Sequence, residues 1–134
     1  NGAYVLDTGS PHYVSFYESV NDLDVVVEGR RIRNSEKFHE SGINVNFVSV
    51  LGGTFAMRTY ERGVEDETWS CGTGTVAAAL ALELENKTTP GLPVVLNTRG
   101  GTLEVSFEKQ NNEFKNIQLK GPAIRVYEGL IELT

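Results

Sequence analysis

The chain has a single cysteine, Cys71, in the run Cys71-Gly72-Thr73-Gly74-Thr75, and residues 76–82 after it are Val, Ala and Leu only. No Pro or Gly interrupts residues 75–85, so helix propensity there is high. A helix that is apolar on every face must be buried. The spacing therefore predicts a buried helix with Cys71 at its open N-terminus. N–H groups in the first turn of a helix lack intrahelical partners, and the aligned peptide dipoles put partial positive charge at that end. A thiol placed there favours its thiolate. Gly72 and Gly74 let an anionic ligand approach the backbone, so one turn can offer a base together with a cradle for a carboxylate or phosphate. The competing reading is a structural cysteine ahead of a core helix. The flanking glycines, the helix start and the charged pair upstream favour chemistry.

That upstream pair is Glu61-Arg62, followed by Gly63. Adjacent strand residues point to opposite faces, so both side chains reach one site only where the strand ends or bends, and Gly63 permits a bend. Arg62 can then fork onto a carboxylate, while Glu61 takes an ammonium or an orienting bond. The alternative is two exposed strand-end charges, worth little to stability. Of the two histidines, His12 follows Pro11 in a turn and is the better partner for chemistry, whereas His39 lies in a polar segment and reads as solvated. A Cys–His pair of the protease type is conceivable, although the sequence places no third orienting group. Metal-ligand spacing is missing, and no phosphate-loop lysine follows the glycines. Glu65-Asp66-Glu67 reads as a solvated loop.

These side chains need a scaffold. Residues 4–6 and 13–17 read as strands by their β-branched and aromatic content, with a turn between them. Residues 22–27 fit either a short strand or the start of an acidic-capped helix, and residues 28–37 a short polar helix. Residues 43–50 alternate apolar with polar, the period of a half-buried strand. Gly52-Gly53 turns into a partner strand, residues 54–60, that delivers Glu61-Arg62 to the helix mouth. After the central helix come strands at residues 93–98, 102–107 and 114–119, and Gly121-Pro122 leads into residues 123–131. Phe47, Phe55 and Phe107 read as core. The sum is an α+β fold: a barrel-like, mostly antiparallel curved sheet wrapped around one central apolar helix.

At 134 residues the chain, residues 1–134, is one domain by length, 40% hydrophobic and 22% charged. A formal charge of −6 argues against nucleic acid as a partner. One cysteine allows no internal disulfide and fits a reducing compartment, the cytoplasm. No apolar run approaches the roughly 18 residues of a membrane span. The first residue is Asn1, not Met, which points to a processed chain or a piece of a longer one.

The residues together resemble the C-terminal half of diaminopimelate epimerases. The resemblance rests on Ser10-Pro11-His12 after a first strand, Ile43-Asn44-Val45-Asn46-Phe47, Tyr60-Glu61-Arg62-Gly63 and Cys71-Gly72-Thr73-Gly74-Thr75, in the family's order and spacing. It runs over essentially the whole chain. The Cys-Gly-Thr-Gly segment alone is similar to proline racemases as well. The resemblance implies two like domains with the active site in the cleft between them, each supplying one cysteine from a helix N-terminus. One thiolate removes the α-proton of the amino acid and the opposite thiol protonates the other face, without pyridoxal phosphate or metal. It assigns Cys71 as one of the two acid/base groups, with His12 and Glu61 in support. It gives Gly72 and Thr73 N–H bonds to the substrate carboxylate, and Asn44 and Arg62 contacts to other substrate polar groups. Ser10 is a further candidate, standing where the family usually has Asn. The expected partners are diaminopimelate and a missing N-terminal domain, with a second copy of the chain left as a candidate. The expected setting is lysine and cell-wall precursor synthesis. By the same resemblance this half alone is inactive. A proline racemase-like epimerase is the nearest alternative, and a binding domain with a structural cysteine the more distant one.

Overall fold

A computed structural model describes residues 2–134. Asn1, which prompted the expectation of a longer chain, lies outside them. Strands β1 (Tyr4–Asp7) and β2 (Pro11–Tyr17) form the first hairpin. Helix α1 (Val25–Arg33) follows, then the hairpin of β3 (Asn44–Leu51) and β4 (Thr54–Glu61), turned at Gly52-Gly53 as expected. The short β5 (Asp66–Thr68) folds back on β4. Helix α2 (Gly72–Leu84) comes next, then β6 (Val94–Thr98), β7 (Gly101–Gln110) and β8 (Glu113–Lys120). The strands make one curled sheet in the order β1-β2-β3-β4-β6-β7-β8, with β5 beside β4. The pairings are antiparallel except β2–β3 and β4–β6.

α2 lies in the hollow of this half-barrel. Its residues Ala77, Ala78, Ala79, Ala81 and Leu82 pack against Val14, Val48, Phe55, Met57, Leu96 and Val105. The all-apolar helix is buried as its composition requires.

Three sequence readings need correction. The ambiguous residues 22–27 are a helix start: Asp24 caps α1 by accepting from Val27 N at 3.0 Å, and the helix ends at Arg33. α1 covers the sheet face opposite α2, over a second core of Val45, Phe47, Tyr60 and Ile32. β3 is therefore buried on both faces, not on one. The Glu65-Asp66-Glu67 stretch is not a solvated loop. Glu67 accepts a forked pair of bonds from Arg58, at 2.7 and 2.8 Å, and a contact from Arg99 at 2.9 Å. Arg58 also binds the carbonyls of Val20 and Leu23, tying β5 to the approach of α1. Glu65 accepts from Arg33, Tyr60 and Gly63. The sheet ends at Lys120, and residues 121–134 lie exposed.

Candidate active site

Strand register gathers the polar residues at one end of the sheet. β2 and β3 begin there and β4 ends there, so His12 lies opposite Asn44, and Asn46 opposite Thr59. The start of α2 meets them. Cys71 is its N-cap in an extended conformation, and its carbonyl accepts from Thr75 N and Thr75 Oγ1, both at 2.8 Å. Its side chain makes no capping bond, so the half-buried thiol stands at an uncapped first turn. Sγ lies 3.7 Å from Thr73 Oγ1.

His12 is fully buried behind that turn. Its Nε2 meets Thr73 Oγ1 at 2.9 Å and Ser10 Oγ at 3.0 Å, and its Nδ1 meets Asn46 Nδ2 at 3.0 Å. Burial pushes its pKa down to about 4; Asp7 pulls the other way, and the Arg62 charge adds to the effect of burial. The ring is thus a neutral imidazole near neutral pH.

Asn44 joins three elements. Its Nδ2 donates to Ser10 Oγ and Pro11 O, both at 3.2 Å, and its Oδ1 accepts from Arg62 N at 2.9 Å. Both amide protons are engaged, which leaves one Oδ1 lone pair for a ligand. Thr8 Oγ1 donates to Thr73 O at 2.7 Å, so the loop between β1 and β2 is tied to the same helix turn.

Glu61 and Arg62 stand where β4 ends, and Gly63 turns the chain with φ +92°. Arg62 donates through Nη1 to Ser41 O at 2.9 Å and forms no ion pair among the described residues. The Glu61 carboxylate likewise has no hydrogen-bond partner there. An unpaired guanidinium fork and an unpaired carboxylate beside an uncapped helix turn can take the two charges of a zwitterion.

The two glycines of the cysteine turn differ in surroundings. A Cβ on Gly72 would lie 3.0 Å from the Leu119 side chain at the mouth. A Cβ on Gly74 would lie 2.4 Å from Asn46 Oδ1 and 3.3 Å from Cys71 Sγ. Gly74 therefore admits a buried amide from the sheet, not an external anion.

All of Ser10, His12, Asn44, Arg62, Thr73 and Cys71 are brought into this one bonded neighbourhood, with Glu61 and Gly72 beside Arg62 and Thr73 in the chain. Thr8, Asn46 and Thr59 belong to it too and escaped the sequence reading. The available signal for Asn46 was Asn44-x-Asn46, two amides on one face of a strand, of which only Asn44 was read as a site residue. Among the described residues no three His, Cys, Asp or Glu side chains gather in a way that could hold a metal ion, and no helix is long and apolar enough to cross a membrane.

The curled half-barrel around a central helix is a fold shared with epimerases of known structure. A hydroxyproline epimerase from Agrobacterium vitis has this fold, with a TM-score of 0.59 at 14% identity, over 86% of this chain and 39% of that one. The family model for diaminopimelate epimerase matches residues 4–126, and the chain belongs to the diaminopimelate epimerase family. It is 50% identical over 94% of its length to a diaminopimelate epimerase of Flavobacterium psychrophilum, and 44% identical over 97% to that of Chlorobaculum tepidum. It spans about half the length of these relatives, 49% and 50%.

Proposed function

We propose that the chain is the C-terminal half of a two-domain diaminopimelate epimerase and carries one of its two acid/base thiols, Cys71. The observation that carries this reading is the thiol at an uncapped helix turn, with the Arg62 fork and the Glu61 carboxylate both unpaired at the adjoining strand ends. The α-carboxylate of the substrate sits on the N–H groups of Gly72 and Thr73, where charge grows as the α-carbon loses its proton. Glu61 takes the ammonium, Arg62 and the remaining Oδ1 lone pair of Asn44 take further substrate polar groups, and Ser10 and His12 support the turn from beneath. Cys71 as thiolate takes the α-proton on one face and becomes a thiol. The companion half supplies a thiol that protonates the opposite face and becomes a thiolate. In the reverse direction the roles exchange, so no proton is gained or lost over a turnover. The proposed setting is the cytoplasm.

A missing companion also accounts for the exposed apolar surface. Trp69 and Val64 stand out beside the site, and Ile124, Val126, Tyr127, Leu130, Ile131 and Leu133 of the final segment are almost wholly exposed. Large apolar side chains exposed in this number suit an interaction surface, and the occupant that fits is the other half of the same protein.

The test is deuterium uptake at the α-carbon of diaminopimelate in heavy water. This chain alone should show none. One thiol reaches one face only, and an open half-cleft leaves the carbanion in water, where the N–H groups hold its charge poorly. With the companion half added, exchange should appear and should vanish in Cys71→Ala. Exchange by the isolated chain that is abolished by Cys71→Ala would overturn the two-domain requirement. A complete protein inert toward diaminopimelate but active on proline would overturn the substrate assignment.

A further inference from the structure

Asn46, the third residue of β3, is wholly buried, yet its amide contacts four groups. Thr59 Oγ1 donates to Oδ1 at 3.1 Å. Nδ2 donates to the Tyr13 carbonyl at 3.2 Å and lies 3.0 Å from His12 Nδ1. Oδ1 sits so close to the first turn of α2 that only a glycine fits at position 74. The Tyr13 carbonyl fixes which way the amide points. Turned over, Oδ1 would face that carbonyl, acceptor against acceptor, so Nδ2 must lie on the His12 side.

An N–H aimed at Nδ1 requires a lone pair on Nδ1. The single proton of the neutral ring therefore sits on Nε2. Nε2–H faces Thr73 Oγ1 at 2.9 Å and Ser10 Oγ at 3.0 Å. A Thr73 oxygen that accepts from His12 has its own proton to donate, with Cys71 Sγ 3.7 Å away; Ser10 Oγ, 3.4 Å from Thr73 Oγ1, already accepts from Asn44 Nδ2 and can itself be the donor to Thr73. Asp7 and Arg62 are the charged groups acting on the ring, and they oppose one another.

We infer that Asn46 is a positioning residue for the thiol: its amide locks His12 as the Nε2–H tautomer, and His12, acting through Thr73, turns a hydroxyl proton onto the Cys71 sulfur. His12 is then a hydrogen-bond donor at the end of a chain from Asn46, not a base that withdraws a proton from Cys71. This inference deepens the proposed function and rests on it, since a donor to sulfur matters to a thiol that must exist as thiolate.

The opposite tautomer would reverse the chain, with Thr73 donating to Nε2 and no proton left for sulfur, so one measurement separates the two. The protein carrying this chain is labelled with ring-¹⁵N histidine, and His39→Gln identifies the His12 signals, since there are two histidines in the chain. The native protein at neutral pH should show a protonated Nε2 and an unprotonated Nδ1. This needs no buried substitution. Asn46→Asp should draw the proton to Nδ1 and move the midpoint of the Cys71 alkylation rate against pH upward by about one unit, the scale of one lost hydrogen bond to an anion. Thr73→Val, at an exposed position, should move the alkylation midpoint likewise while leaving the His12 tautomer unchanged. In the two-domain enzyme Asn46→Asp should lower kcat about tenfold with KM little altered, because the amide does not reach substrate. A proton on Nδ1 in the native protein, or an alkylation midpoint unmoved by Thr73→Val, would overturn the inference. Neither readout uses a substrate. Failure to exchange the α-proton of diaminopimelate, with the ring signature and alkylation shifts as stated, strikes the proposed function and leaves the hydrogen-bond chain in place.

Discussion

Single side chains at the mouth of α2 combine roles that sequence keeps apart. His12 has an ordinary surface counterpart in His39, yet its burial holds the ring neutral down to about pH 4. The unfolded chain takes up a proton on this histidine near its usual value of about 6.5, and the folded chain does not. Stability should therefore fall as pH drops from about 6.5 to 4, by up to about 3 kcal/mol from this group. Glu67 acts in a lower window. The Arg58 bonds hold its carboxylate below the usual range, so its contribution is present above about pH 4.5 and is lost as pH falls through its folded value. Denaturant titrations across pH should show the two windows, and His12→Gln should flatten the upper one only. Arg62 makes a different prediction. The one hydrogen bond of its side chain is to a backbone carbonyl, so Arg62→Lys in the two-domain enzyme should leave the unfolding midpoint nearly unchanged. KM should rise severalfold, because a lysine lacks the planar fork. Loss of stability without a change in KM would make Arg62 structural.

At the scale of elements, legibility followed how local the determining forces were. α2 could be read because a run of Ala and Leu admits one fate, and the Gly52-Gly53 hairpin because its turn residues act within four positions. α1 was half hidden: its Asp24 cap is a local signal, but Val25-Val26-Val27 suits a strand equally well until Tyr60 and Phe47 supply a surface to cover. The alternation in β3 was read correctly as a strand and wrongly as half exposed. Period reports direction, not what lies there, and both directions are covered. The acidic stretch was misjudged because its partners, Arg58, Arg33 and Arg99, come from other elements. Two substitutions test this scale. Gly→Ala in a helix ordinarily stabilises by about 1 kcal/mol. Gly74→Ala should instead destabilise by about 1–3 kcal/mol, since the new methyl meets the Asn46 amide. Glu67→Ala should cost about 3 kcal/mol, because it leaves the mostly buried Arg58 without its carboxylate. Equilibrium denaturation measures both, and a neutral Gly74→Ala would contradict the packing of that turn.

The molecule as a whole is a packed core beside an exposed apolar surface. Residues 123–134 bury almost nothing on this chain while carrying six large apolar side chains. Their removal should leave the unfolding midpoint unchanged and should weaken association with the companion half, as read by sedimentation of the mixture. A drop in the midpoint would mean that the segment stabilises this half. The two parallel pairings also impose an order in time. The β3–β4 hairpin can zip from a two-residue turn. β2 cannot meet β3 until residues 18–43 have been closed through α1, a step whose entropy cost is about 3 kcal/mol, and β4 cannot meet β6 until α2 lies between them. Formation of the sulfur's surroundings thus waits on the slowest crossovers. In refolding followed by pulsed alkylation, Cys71 should be the last probe to reach native reactivity, well after the β3–β4 hairpin has closed.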